Sequence, residues 1–385
     1  MTAPGPGWDP FARPDQVRDG THTLQEVFRT VRLTRRGKIA ISVVAALALV
    51  SVGGIALALT GHAPAPIQHV VEAMTGRQAP PKPPPTCPLT GKPAPGGKVP
   101  RRSLLAVKVE NTTEAYPLAG LQNADVVYEE LVEGGITRFM ALFQCKSSPR
   151  VGPVRSARTT DPKILLQFEP RAILAYAGAQ AAVVNDIDRS TLMGYDETTG
   201  GSAFSRDDRR VMPHNLFVST AKLWAVAGSK AATAGPPRRV FPFDATVPAR
   251  AKRITGVDIP FSSASTATWT WAASLGRWER QFDGAPMKLE SGQPITAANV
   301  VIQQVVVTAS NLVDVLGNPS PEVTMTGAGK AWILRDGRVI AGRWIRPAMG
   351  AVTTFETKDG TIIPLAPGNT WVELLPKGNA PAFHR

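Results

Sequence analysis

Three side chains have the types and positions that acid–base chemistry would use. Glu129 and Glu133 lie four residues apart in a segment with strand character, and His214 is the only histidine between residues 86 and 376. In an alternating strand both carboxylates lie on one face, where they could act as the acid and the base of glycan cleavage. His214 could act as a general base. A structural alternative stays open, in which arginines bind the carboxylates and the histidine bonds to backbone in a tight turn.

Arginines form a second set of candidates, for binding rather than catalysis. The segment GPVRSAR at residues 152–158 places two guanidinium groups three residues apart after a rigid Gly-Pro turn. Such a pair can bind one planar anion through its N–H groups. We predict an anion-binding cleft with the members Arg138, Arg155, Ser156, Arg158, Arg209, Arg210, His214 and Asn215. Internal salt bridges from these arginines to the glutamates are the alternative.

The standard catalytic motifs are missing from the sequence. It contains no GxSxG, no HExxH, no CxxC pair and no complete phosphate-binding loop. Residues 219–222 have the SxxK spacing of penicillin-binding proteins, but the companion motifs are absent and Ser219 stands where a helix N-cap belongs. A single histidine in the folded region cannot form a multi-histidine metal site, so we expect no metal and no cofactor. The residues leave open whether the chain is an enzyme.

The chain has two cysteines, Cys87 and Cys145. Neither has a histidine nearby in sequence, so a metal pair or a catalytic thiol has little support. Both follow the apolar segment described next, and in an oxidising compartment two thiols usually pair. We predict a disulfide, whose loop of about 59 residues would stabilise the fold by roughly 4 kcal/mol.

An apolar segment indicates where these residues work. Ile39–Leu59 has no charged residue in 21 positions, and a helix of that length spans roughly 30 Å, the thickness of a bilayer's hydrocarbon core. Five basic residues lie just before it, whereas the next one after it is Arg77. We therefore predict a single-pass cell-membrane protein with a cytoplasmic amino terminus and extracytoplasmic domains. Signal-peptide cleavage at Ala58 is the alternative, although the apolar run is long for a signal peptide.

The net charge of the chain limits the chemical classes of partner that it is expected to bind. The formal net charge is +13, and a hydrophobic content of 43% excludes wholesale disorder. Outside a membrane, a basic surface favours anionic partners such as acidic wall polymers, and an exported domain rarely meets nucleic acid. We expect contact with the lipid bilayer through residues 39–59, an anionic wall polymer or a wall-synthesis protein as partner, and no nucleic acid. The charge could also serve solubility alone.

The elements that must position the candidate residues fall into five parts. These are a disordered basic cytoplasmic tail (1–38), a transmembrane helix (39–59), a proline-rich linker (60–85), an α+β domain (86–244) and a β-rich domain (245–385). The first domain shows strands near 104–109, 125–132 and 136–144, and helices near 161–168, 179–187 and 220–227. The expected fold class is α+β, with an α+β domain followed by a β-rich domain and tethered by one transmembrane helix.

Several motifs resemble the YerB-like proteins, a bacterial envelope family of unknown function. They are CPLTGKP (87–93), LVEGGITRF (131–139), GPVRSAR (152–158), RRVMPHNLF (209–217), GAGKAWILRDGRVIAGRW (327–344) and PGNTWVELLP (367–376). The resemblance covers about residues 86–376 and implies a layered α+β architecture in an extracytoplasmic, membrane-tethered protein. Many proteins of the family that this chain resembles are anchored through a lipidated cysteine. Many also carry His-Ala-Gly-Gly where this chain has YAGA at 176–179. If that histidine had a catalytic role, its absence here would argue against catalysis.

The sequence therefore predicts a membrane-anchored, non-catalytic envelope protein. It would bind anionic cell-wall material or a wall-synthesis enzyme through the basic cleft. The alternative function is a wall-active hydrolase or transferase that uses Glu129 or Glu133 with His214.

Overall fold

The structure is a computed structural model that describes residues 83–168, 171–314 and 316–385. Residues Pro84–Arg385 form one compact unit. The predicted tail, the apolar segment at 39–59 and nearly all of the predicted linker lie outside the described residues. Within the described ranges, no helix is both long enough and apolar enough to span a bilayer.

The described residues contain four α-helices and 21 strands. The helices are α1 (Thr160–Leu165), α2 (Ala181–Arg189), α3 (Glu197–Gly200) and α4 (Thr220–Ala234). The strands up to residue 260 are β1 (Leu105–Asn111), β2 (Val126–Leu131), β3 (Thr137–Phe143), β4 (Ile173–Ala175), β5 (Met193–Tyr195), β6 (Phe204–Arg206), β7 (Leu216–Val218), β8 (Lys252–Arg253) and β9 (Gly256–Pro260). The later strands are β10 (Thr266–Ala272), β11 (Arg277–Phe282), β12 (Ala285–Pro286), β13 (Thr296–Ala297), β14 (Asn299–Val305), β15 (Val307–Val313), β16 (Pro319–Val323), β17 (Gly327–Arg335), β18 (Arg338–Arg346), β19 (Thr354–Glu356), β20 (Thr370–Pro376) and β21 (Ala382–His384).

One large sheet organises the fold. Its eleven strands include the path β19-β18-β17-β14-β20-β2-β3-β1-β4-β5, with β8 also pairing with β18. Strand β20, from the end of the chain, lies between β14 and β2 and runs parallel to both. Strands from before and after residue 244 are thus neighbours in one sheet, and the predicted domain boundary at 244 stays a prediction. The predicted mixed, strand-rich fold with few helices is confirmed.

The large sheet is buried on both faces. One face packs against a six-stranded sheet made mainly of β9, β10, β11 and β21, and against α4. The other face packs against α1, α2 and the segment around Phe241. Burial on both faces explains why β3 reads TRFMALF, a nearly continuous apolar run, instead of an alternating pattern.

A β-hairpin and the predicted disulfide are both present in the first half of the compact unit. Strands β2 and β3 pair antiparallel around Gly134 and Gly135, which both adopt positive φ angles. Cys87 and Cys145 form a disulfide with a Cα–Cα distance of 6.0 Å, so that pairing is confirmed. It joins the start of the compact unit to the chain that leaves β3.

Candidate functional site

Arg138 lies on the large sheet between two glutamates. It stands in β3, opposite Glu110 of β1 and opposite Glu130 of β2. Paired residues of neighbouring strands point to the same face, so all three side chains lie on the face that α1 and α2 cover. The strand is buried along its length, and Arg138 is only 7% exposed.

The guanidinium of Arg138 has N–H groups without an acceptor. Its Nε and Nη1 atoms are buried and donate no hydrogen bond, and it forms no ion pair with another described residue. Burial, together with the charges of Arg158 and Arg155, lowers its pKa from 12.5 to about 10. The group is still cationic at neutral pH. A buried positive charge with unmatched donors is therefore the central feature of this site.

Arg155 and Arg158 flank Arg138 and are partly exposed. Arg158 Nε donates to Glu133 Oε2 at 2.9 Å, while Arg155 Nε lies 3.2 Å from Glu110 Oε1. Burial would raise the pKa of Glu133, but hydrogen bonds from Arg158 and Ser320 outweigh it and lower that pKa. The predicted alternative of internal ion pairing thus describes one edge of Arg155. It describes Arg158 more fully, because the Nη1 of Arg158 also donates to the carbonyls of Ser156 and Ala157. Arg155 makes no hydrogen bond through its two Nη groups with any described residue, which leaves them available to a ligand.

His214 joins this site through a carboxylate. Its Nδ1 lies 2.9 Å from Glu110 Oε2, the same glutamate that faces Arg155. The side chain of His214 is 22% exposed, and Ser156 is partly exposed between the two flanking arginines. We define the arginine site as Arg138, Arg155, Ser156, Arg158 and His214.

The other predicted binding residues contact different partners. Arg209 pairs with Asp207 at 2.9 Å, and Arg210 pairs with Glu290 at the same distance. Asn215 is buried and accepts a hydrogen bond from Arg206. These contacts form a separate polar network. The structure therefore brings five of the eight predicted residues together at one site and places Arg209, Arg210 and Asn215 in that other network.

The two candidate catalytic glutamates lie on opposite sides of the large sheet. Glu129 Oε2 lies 2.8 Å from Arg280 Nη1, on the face covered by the second sheet. Glu133 instead reaches Arg158 and Ser320. The expectation that both share one face is wrong, because β2 ends at Leu131 and the backbone turns through Gly134, with φ 72°. Among the described residues, no hydrogen bond links Glu129 to Glu133 or His214.

Glu129 has a different carboxylate neighbour. Glu373 of β20 stands opposite it in register, and both side chains are buried beside Arg280. Burial, and then the charge of Glu129, raise the pKa of Glu373 well above its usual value. A raised pKa favours the protonated form of Glu373, which reduces the repulsion between the two neighbouring carboxylates. Trp269 Nε1 also donates to Glu373 at 2.8 Å.

Sequence reasoning missed a buried lysine next to the arginine site. Lys108 is fully buried in β1, pairs with Glu130, and lies 2.8 Å from Asp161 Oδ1. Burial lowers its pKa to about 8, although Asp161 opposes that shift. The signal was present in LAVKVEN, where one lysine stands among apolar residues on a strand buried on both faces.

Two family profiles match most of the compact unit. The N-terminal domain of a family described as "Protein of unknown function (DUF3048)" matches residues 89–233, and its C-terminal domain matches residues 257–372. The chain is also 28% identical over 295 residues to "Putative lipoprotein YerB" of Bacillus subtilis (strain 168), covering 75% of this chain and 86% of that protein. This chain belongs to the YerB-like family. A crystal structure of the YerB protein from Bacillus subtilis superposes with a TM-score of 0.67 at 26% identity, covering 78% of this chain and all of that one.

In this YerB-like chain, three of the six segments that carried the resemblance meet at the arginine site. The segment 152–158 supplies two of its arginines, the segment 131–139 supplies Arg138 and also Glu133, which binds Arg158, and the segment 209–217 supplies His214. Tyr176, at the position where the resemblance implies a histidine, precedes Ala177, whose N–H donates to the Arg155 carbonyl at 2.9 Å. The altered position is therefore adjacent to the site along the backbone.

Proposed function

We propose that this YerB-like protein is a membrane-tethered, extracytoplasmic binding protein that holds an anionic group of cell-wall material at the arginine site. Arg138 is the observation that carries the proposal, because its buried Nε and Nη1 groups lack an acceptor. Buried donors without partners are costly, and a carboxylate or phosphate oxygen would satisfy them. Arg155 would bind the same anion through its two Nη groups from the partly exposed side, and Arg158 would add its positive charge nearby.

The location belongs to the same proposal. The apolar segment 39–59 and the basic residues before it support a single-pass anchor with the compact unit outside. The disulfide supports an oxidising compartment. The Bacillus subtilis relative bears the name of a lipoprotein, which supports membrane attachment for this chain by a different anchor.

A non-catalytic role is supported by the positions of the candidate acids and bases. Glu133 is held by Arg158 and Ser320, His214 faces Glu110, and Glu129 lies on the other side of the sheet. Glycan hydrolysis uses two carboxyl groups that flank one open space, whereas Glu129 and Glu133 lie on opposite sides of the sheet. If the partner is a wall-synthesis enzyme, that enzyme would have to present an anionic group to the same arginine site.

The test is sedimentation of the full-length, detergent-solubilised protein with purified bacterial wall material. Changing Arg155→Gln together with Arg158→Gln should lower the apparent affinity by about tenfold or more, because charge-assisted hydrogen bonds are removed. Arg101→Gln is the matched control, since Arg101 is exposed and makes no ion pair with a described residue. Unchanged retention in the double variant would refute the proposal. Turnover of wall material that is lost in Glu133→Gln would establish the hydrolase alternative instead.

A further inference from the structure

A second cationic surface lies at the edge of the large sheet. It is formed by residues that take no part in the arginine site. Strand β8 pairs with β18 through Arg338 and Val339, and β19 pairs with it from Arg343 to Ile345. Between them, residues 340–342 have no strand partner on that side in the described structure. A cavity of about 690 Å³ opens there. We call it the basic groove.

The rim of the basic groove is cationic. Its exposed charged members are Arg250, Lys252, Arg253, Lys358 and Arg385. Arg250 pairs with Asp359 at 2.9 Å, and this contact is largely exposed. Lys252, Arg253 and Lys358 make no ion pair with another described residue. The rim thus has an excess of positive charge that the protein itself does not neutralise.

One pairing in the groove adds to this excess. Arg253 of β8 stands directly opposite Arg338 of β18 in the antiparallel register. Like charges at directly opposed positions destabilise a strand pair. An anion bound at the rim would relieve that repulsion.

The floor of the groove is apolar. Ile254, Val339 and the partly buried rings of Trp332 and Phe383 line it. A wholly hydrophilic anion would use the cationic rim and gain nothing from these aliphatic and aromatic surfaces. A ligand that carries an anionic head on an apolar chain would use both.

We propose that the basic groove binds an anionic amphiphile, with a lipid phosphate at the cationic rim and the start of its apolar chain on the floor. This inference goes beyond the proposed function, because it uses a different surface, a different ligand class and none of the residues of the arginine site. It gives the compact unit a lipid contact of its own.

The test uses full-length protein in nanodiscs of phosphatidylcholine, titrated calorimetrically with soluble dihexanoyl phosphatidic acid. Saturable binding is expected, and Lys252→Gln and Arg253→Gln should each weaken it roughly fivefold, as expected for removal of one cation near a lipid phosphate. The matched control is Lys288→Gln, an exposed lysine outside the groove, which should leave the affinity unchanged. Arg155→Gln with Arg158→Gln should also leave it unchanged, so that failure here and failure of the arginine site are separable.

Three results would overturn the inference. Equal binding of dihexanoyl phosphatidylcholine would show that the rim does not select an anion. Equal binding of inorganic phosphate would show that the apolar floor contributes nothing. Binding of a linear anionic polysaccharide at the same residues, without binding of phosphatidic acid, would assign the groove to a wall polymer.

Discussion

Single residues in this fold show how buried charge is managed. Lys108 is matched by Glu130 and Asp161, whereas Arg138 on the neighbouring strand has unmatched donors. Asp125 is a third case, because its Oδ2 accepts the backbone N–H groups of Gln144 and Cys145 at 2.7 and 3.1 Å. Burial nevertheless raises the pKa of Asp125 to about 6, since the two hydrogen bonds only partly offset desolvation.

Asp125 should make stability fall as the pH rises. With a folded pKa of about 6 above the ordinary 3.8, the folded state keeps a proton that the unfolded state has released between these values. The contribution is complete below about pH 4 and is lost above about pH 6, a change of about 3 kcal/mol. Denaturant unfolding of wild type and Asp125→Asn should show this change in the difference between them. A difference that does not vary with pH would contradict it.

At the residue scale, the sequence could name candidate groups but not choose between their roles. Internal pairing of the arginines at 152–158 with the glutamates was the alternative to a binding cleft, and Glu133 does contact Arg158. The partner of Glu129 was out of reach, because Arg280 and Glu373 come from distant strands that only the assembled sheets bring together. That Arg138 has unbonded donors also could not be predicted from the sequence, because it depends on every residue that surrounds the side chain in the fold.

Elements were predictable where local pattern and burial agree. Strands β1, β2 and β3 and helix α2 all appear close to their expected positions, because each has a clear apolar run or turn signal. The apolar run over residues 300–308 predicts one strand from sequence alone. In the structure it contains most of β14 and the start of β15, separated at the exposed Val306. Strand β15 leaves the large sheet to pair with β16, and that choice depends on distant strands.

Substitutions at two turn glycines would show how much crowding in a turn affects stability. Gly120 has φ +84°, and an added Cβ there would overlap the Arg150 carbonyl oxygen and lie 2.8 Å from Val151 Cγ2. Gly120→Ala should therefore lower the free energy of unfolding by about 3 kcal/mol, combining backbone strain and overpacking. Gly134→Ala, at φ +72° with no atom within 4 Å, should cost only about 1 kcal/mol. Equal losses in chemical unfolding would show that crowding at Gly120 is unimportant.

The whole molecule depends on a strand supplied by its last residues. Strand β20 is buried between β14 and β2. The ring of Trp371 packs edge-on against that of Phe139 in β3, with 5.1 Å between the ring centroids. The mixture of strands and helices was predictable from local patterns, and the layering was implied by the family resemblance. The insertion of β20 beside β2 was not, because nothing local in TWVELLP specifies a partner some 240 residues earlier.

We expect a fragment of residues 84–244 to lack a cooperative fold. Without β20, the buried strand β2 would present an open edge, and the core on both faces would lose its later half. Thermal melting followed by circular dichroism should give a broad transition for the fragment and a sharp one for residues 84–385. A sharp transition in the fragment would instead support an independent domain ending at residue 244.

The disulfide has a mechanical consequence for a tethered protein. Cys87 lies at the start of the compact unit, after the proposed membrane segment in sequence, and Cys145 lies just after β3 of the large sheet. In the tethered arrangement proposed above, a pulling force along the chain would pass through the sulfur atoms from Cys87 to Cys145. Residues 88–144, which include β1, β2 and Arg138, would carry no tension while the bond is intact. The crosslink would thus shield Arg138, within the bridged loop, from loads between membrane and wall.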